Sequence, residues 1–93
     1  HPLAADLLNN LGCAYREIGT LTEAASVFRR ARAAAPDDAQ IANNLGCTFL
    51  ALGRSEEAAA SLGEAARLAP DDRVILGNLR RCVAREGAAP ASS

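Results

Sequence analysis

Asn9-Asn10-Leu11-Gly12-Cys13 returns 34 residues later, letter for letter, as Asn43-Asn44-Leu45-Gly46-Cys47. The same shift relates Glu23-Ala24-Ala25 to Glu57-Ala58-Ala59 and Ala35-Pro36-Asp37-Asp38 to Ala69-Pro70-Asp71-Asp72, and it links Gly19, Gly53 and Gly87. Residues 5–38 and 39–72 share 15 identities in 34 positions, too many for coincidence. A period of this length marks a repeat architecture, in which each unit buries its apolar face on its neighbours. A third copy begins at Arg73, keeps Ile75, Asn78, Leu79 and Gly87 in register, and then dissolves into small residues. The organisation is therefore one domain over 1–87, made of repeats 5–38 and 39–72 and a half repeat or cap at 73–87, with a flexible tail over 88–93.

Each repeat divides into two helical stretches. In the first, Leu7, Leu8, Leu11, Tyr15 and Ile18 recur at three- and four-residue steps, an amphipathic stripe that stops before Gly19. Thr20-Leu21-Thr22-Glu23 fits a capping box, and Ala24, Ala25, Phe28 and Ala31 follow on one face of a second helix. Pro36 ends that helix, and Asp37-Asp38 can cap the next. The same punctuation predicts helices at about 38–51, 55–68 and 72–86. Five helices in antiparallel pairs result, with no strand.

Composition agrees with an all-α reading and narrows the function. Hydrophobic residues make up 49% of the 93 residues, but only Tyr15, Phe28 and Phe49 are aromatic and Ala supplies much of the rest, which suits closely approaching helices. Ten basic against eleven acidic residues give a net charge of −1, without the basic excess that drives nucleic-acid binding. No apolar run is long enough to enter a membrane. Cys13, Cys47 and Cys82 form no Cys-x-x-Cys pair, and the only His is His1, so no metal or cofactor is expected. Free thiols fit a reducing compartment, and the expected location is cytoplasmic. The opening His1-Pro2 reads as a processed or cut terminus. Asp37-Asp38 and Asp71-Asp72 are the adjacent carboxylate pairs, and helix capping accounts for both. No nucleophile stands with a base, so no enzyme activity is expected.

The series Leu11-Gly12, Tyr15, Ala24, Phe28, Ala31 and Pro36, repeated as Leu45-Gly46, Phe49, Ala58, Leu62, Ala65 and Pro70, resembles the tetratricopeptide repeat (TPR). The resemblance runs over residues 3–87 and implies a right-handed α-solenoid of antiparallel helix pairs. Gly in mid-helix costs about 1 kcal/mol relative to Ala. Close approach of the partner helix is the expected compensation at Gly12 and Gly46, with Ala24 and Ala58 as the facing residues. In the third copy Arg80 replaces this Gly, so 72–86 reads as a polar capping helix.

The resemblance further implies a curved superhelix whose first helices line the concave side and bind another polypeptide. The lining residues are then Asn9, Asn10, Cys13 and Arg16, then Gln40, Asn43, Asn44 and Cys47, then Asn78, Arg81 and Arg85. Asn10, Asn44 and Asn78 hold equivalent places and would form a row whose amides both donate to and accept from an extended backbone, with Asn9 and Asn43 assisting. The alternative is that these amides bond to neighbouring helices or water. Arg81 and Arg85, four residues apart, could attract an acidic segment or simply complement the helix terminus. Cys13 and Cys47 belong to helices expected about 8–10 Å apart, beyond disulfide reach.

A variant of the family, the chaperone carboxylate clamp, would place Lys where Asn9 and Val74 stand, Asn where Cys13 and Asn44 stand, and Arg where Asn78 stands. Only Asn44 agrees, which speaks against binding of an acidic chaperone tail by that route. Two functions stay open at the level of sequence: a peptide-binding interaction module, or a structural unit that forms homo-oligomers through the ends of its solenoid.

Overall fold

The computed structural model describes residues 2–88; His1 and residues 89–93, most of the expected tail, lie outside it. Five helices follow one another among the described residues: α1 (Pro2–Ile18), α2 (Leu21–Ala34), α3 (Ala39–Ala51), α4 (Ser55–Leu68) and α5 (Arg73–Ala88). The main packings are α1 on α2, α2 on α3, α3 on α4 and α4 on α5, which makes two hairpins and a closing helix stacked in chain order. The resulting slab measures 44 × 30 × 18 Å.

Helix ends lie within a residue or two of the expected ones, and the chemistry at each explains why. Gly19 and Gly53 take positive φ values of 95° and 78°, a conformation that costs other residues and stops a helix. The chain then folds back on itself, with Thr20 N donating to Tyr15 O at 3.0 Å and Arg54 N to Phe49 O at 2.9 Å. At the repeat junctions only the second Asp of each pair is the cap. Asp38 accepts from Gln40 N and Ile41 N, and Asp72 accepts from Val74 N and Ile75 N, satisfying amides that the first helical turn leaves open. The capping box expected at Thr20 does not form. Its hydroxyl donates instead to Tyr15 O at 3.0 Å, tying the turn to the end of α1, and no side chain caps α2.

Gly12 and Gly46 do mark the closest helix contacts, but the facing residues differ from expectation. A Cβ built on Gly12 would lie 2.6 Å from Phe28 Cε1, and one on Gly46 would lie 2.5 Å from Leu62 Cγ. The absent side chain makes room for a large one rather than for Ala24 or Ala58, although both alanines are also buried. Around these contacts lies the core: Ala24, Phe28, Leu45, Phe49, Ala58, Leu62 and Cys82. The stripe assigned to α1 needs a second correction. Leu8 and Tyr15 turn toward the core, whereas Leu7, Leu11 and Ile18 are exposed, because no helix lies on that side of α1. Nor is α5 a wholly polar cap, since Val74, Leu76 and Val83 are exposed on it.

Gly46→Ala should lower stability by about 1–3 kcal/mol through overpacking against Leu62, despite the better helix propensity of Ala. Gly63 has open space around the same position, so Gly63→Ala should raise stability by up to about 1 kcal/mol. Urea midpoints of the two variants moving in the same direction would contradict the close-contact reading.

Candidate functional site

Helices α1, α3 and α5 lie side by side because each is the leading helix of its repeat, and side chains 31 or 35 residues apart consequently meet. Asn44 Nδ2 donates to Asn9 Oδ1 at 2.9 Å, and Asn78 Nδ2 donates to Asn43 Oδ1 at 3.0 Å. Each donor amide also faces a thiol of the preceding repeat, Asn44 toward Cys13 Sγ at 3.9 Å and Asn78 toward Cys47 Sγ at 3.3 Å. The row is thus a diagonal ladder, stepping from the second Asn of one repeat to the first Asn of the repeat before it. This is the neighbouring-helix alternative left open by the sequence, and it applies to Asn44 and Asn78. Asn10 stands exposed at the outer end of the series.

Burial grades along the ladder. Asn43 and Asn78 are buried, Asn9 and Asn44 are half-buried, and Asn10 is exposed. An Asn amide has two N–H donors and an acceptor oxygen with two lone pairs, so one inter-repeat bond leaves Asn44 further capacity toward the surface. Gln40, also exposed, donates weakly to Asp72 Oδ2 at 3.5 Å, a contact along the repeat junctions.

Positive charge collects beside the ladder. Arg16 extends from α1 with its guanidinium 5.9 Å from the centre of the Phe28 ring, a stacking that restrains it. Arg85 donates to Leu50 O at 3.4 Å, which ties the end of α5 to α3. Burial pushes the Cys47 thiol above its ordinary pKa, and the charges of Arg16 and Arg81 act in the opposite direction. Burial outweighs the two charges, one from α1 and one from α5, so Cys47 is held as a neutral thiol. Cys13 and Cys47 are free and half-buried.

The opposite side of the slab carries ion pairs. Arg29 pairs with Glu57 at 3.1 Å and Arg32 pairs with Glu64, so α2 is linked to α4 by ion pairs, and Arg54 and Arg67 add contacts to the same two carboxylates. Among the described residues, Arg16, Arg81 and Arg85 have no such carboxylate partner. These cross-repeat links were missed by sequence reading. Their signal was present in the spacing of Arg29 and Glu57, 28 residues apart, but only the fold shows that α2 and α4 are neighbours. A cavity of about 660 Å³ opens elsewhere, at the α2–α3 turn lined by residues 34–40, and is an open hollow over that turn. Among the described residues no three His, Cys, Asp or Glu stand together as a metal site, and no helix is long and apolar enough to cross a membrane.

Stacked helical hairpins with a polar, partly cationic face formed by their leading helices define an α-helical repeat protein of the interaction type. The chain belongs to the tetratricopeptide-repeat family, whose sequence model matches residues 15–81. Its structure is similar to that of the second TPR of Spaghetti (RPAP3) bound to HSP90 peptide SRMEEVD, with a TM-score of 0.89 and 18% identity, covering 94% of this chain and 81% of that one. It is also similar to MamA MSR-1 C2, with a TM-score of 0.79 and 24% identity over 89% of this chain and 48% of that chain. At these identities the likeness is one of fold. No curated protein is similar enough in sequence to be matched. The family as a class serves protein–protein interaction and is generally non-catalytic.

Asn78→Ala should cost about 1–3 kcal/mol, because it strips the buried Asn43 oxygen of its amide donor, whereas Asn10→Ala should leave stability nearly unchanged. Chemical denaturation of the two variants provides the check; equal losses would show that the ladder does not join the repeats.

Proposed function

We propose that this domain binds an extended polypeptide segment along the face formed by α1, α3 and α5. The observation that carries this reading is the diagonal ladder. Its inter-repeat bonds fix the amides of Asn9, Asn44, Asn43 and Asn78 in place, so the remaining capacity of Asn44 is offered in a preset orientation, with the exposed amide of Asn10 beside the ladder. A ligand that meets ordered amides sacrifices less side-chain freedom on binding. A peptide backbone, with a donor and an acceptor at every residue, fits such a row.

Arg16, Arg81 and Arg85 lie beside that row and favour carbonyl or carboxylate groups of the segment. The chaperone carboxylate clamp is not the mechanism of this reading, because four of its five positions carry other side chains here. The structural neighbour bound to an HSP90 peptide supports the use of this fold for peptides without transferring its ligand.

The test is selection from a random peptide library against the wild-type chain, followed by affinity measurement. Asn44→Ala and Arg81→Ala, each confirmed as folded by circular dichroism, should weaken the selected peptide by about tenfold. Glu57→Ala, on the opposite side, should have no effect. Selected peptides that lose affinity only on Glu57→Ala would reject this face as the binding site.

A further inference from the structure

Three side chains of α2 carry a chemistry that the repeat does not explain. Thr22, Ser26 and Arg29 follow steps of four and three, so they share one side of the helix, and all three are exposed. One repeat later the matching places on α4 hold Glu56, Ala60 and Gly63. Helix packing therefore accepts a carboxylate, a methyl group or no side chain there, and it does not call for two hydroxyls and a guanidinium. A hollow of about 380 Å³ is lined by Thr22, Ala25, Ser26 and Arg29 of α2 and by Leu52 and Arg54 of the α3–α4 turn. The two cations thus come from different elements and meet at one opening.

Both cations are held by the same neighbour. Glu57 accepts from Arg29 Nη2 at 3.1 Å through Oε2, and its Oε1 lies 3.5 Å from Arg54 Nε. The Arg29 guanidinium also lies 5.3 Å from the centre of the Phe49 ring, which restrains it further. A guanidinium has five N–H donors, so each cation keeps most of its donors after meeting Glu57. One carboxylate against two guanidinia leaves the cluster with a positive charge in excess. Among the described residues no other group of the protein engages the hydroxyls of Thr22 and Ser26.

We propose that this hollow, on the side of the domain away from the α1, α3 and α5 face, is a binding site for a phosphate dianion, free or carried as a monoester. Arg29 and Arg54 donate to its oxygens from two sides, and Thr22 and Ser26 donate their hydroxyl protons. A carboxylate matches the site less well, since it brings two oxygens to four donor side chains. A phosphate monoester brings three terminal oxygens and most of a second negative charge at neutral pH. Arg, with its planar fork, suits such paired contacts better than Lys. Because Glu57 and Phe49 already restrain the guanidinia, little side-chain freedom is left to lose on binding. Glu57 has two opposed effects: it positions the cations, and its own charge repels the anion.

NMR titration of the isotope-labelled full chain with inorganic phosphate, and separately with phosphoserine, tests the site. Shifts should centre on the amides of Thr22, Ser26 and Arg54, with a Kd of about 1 mM or tighter. Arg54→Ala should weaken binding by about tenfold, and the double change Thr22→Val with Ser26→Ala, which alters no charge, by about threefold. Glu57→Gln keeps an acceptor for the guanidinia while removing the repelling charge, and should tighten binding by about threefold. Arg67→Ala removes the same charge as Arg54→Ala from the same side of the domain, outside the hollow, and should leave Kd unchanged. Circular dichroism confirms that each variant is folded. Tighter binding of phosphoserine than of inorganic phosphate would assign the site to a phosphorylated side chain, and the reverse order to the free ion. Equal losses in Arg54→Ala and Arg67→Ala would reduce the effect to diffuse charge and overturn the proposal, as would shifts that fail to appear with either probe at about 10 mM.

Discussion

The contact of Phe28 with Gly12, repeated by Leu62 with Gly46, sets the geometry from which the rest follows. A helix surface without a side chain lets the partner helix approach until a large apolar group rests on the backbone, and dispersion over that contact compensates for the poor helix propensity of Gly. Once the hairpin is this tight, α2 also packs on Ile41 and Leu45 of α3, and α4 meets α5 in the same way. Leading helices then lie side by side at one repeat spacing. That spacing is what brings Asn44 to Asn9 and Asn78 to Asn43. In α5 the Gly is replaced by Arg80, and no sixth helix follows among the described residues.

Charge is distributed to match this division of labour. On the trailing helices Arg29, Arg32, Arg54 and Arg67 are answered by two glutamates, Glu57 and Glu64. Exposed pairs of this kind contribute little stability singly. Arg16 and Arg81 lie on the leading helices and both act on the same thiol, Cys47. On the proposed reading, the ladder amides and the cations that have no carboxylate partner among the described residues suit a polar, extended ligand.

Much of the fold was legible in the sequence because its determinants are local. The 34-residue period, the Gly stops at 19 and 53, the Pro ends at 36 and 70 and the caps at Asp38 and Asp72 each act within a few residues of themselves. The errors arose where the outcome depended on a neighbouring helix. Leu7, Leu11 and Ile18 have the same pattern as a buried stripe, yet they are exposed, since burial requires a covering element that periodicity cannot supply. Thr20 had two local acceptors and donors to choose between, and its hydroxyl bonded backward to Tyr15. The candidate face was legible as a list of residues but not as a bonding pattern. A shift of 34 aligns Asn10, Asn44 and Asn78, whereas the lateral packing of the helices pairs residues 35 apart.

The central claim is that the leading-helix face holds a polypeptide through its ordered amides, and side-chain NMR reads those amides directly. Titration of the labelled chain with a selected peptide should shift the Nδ2–H₂ resonances of Asn10 and Asn44, and with them the backbone signals of α1, α3 and α5. Shifts confined to α2 and α4, with the Asn side-chain resonances unmoved at saturation, would contradict the account.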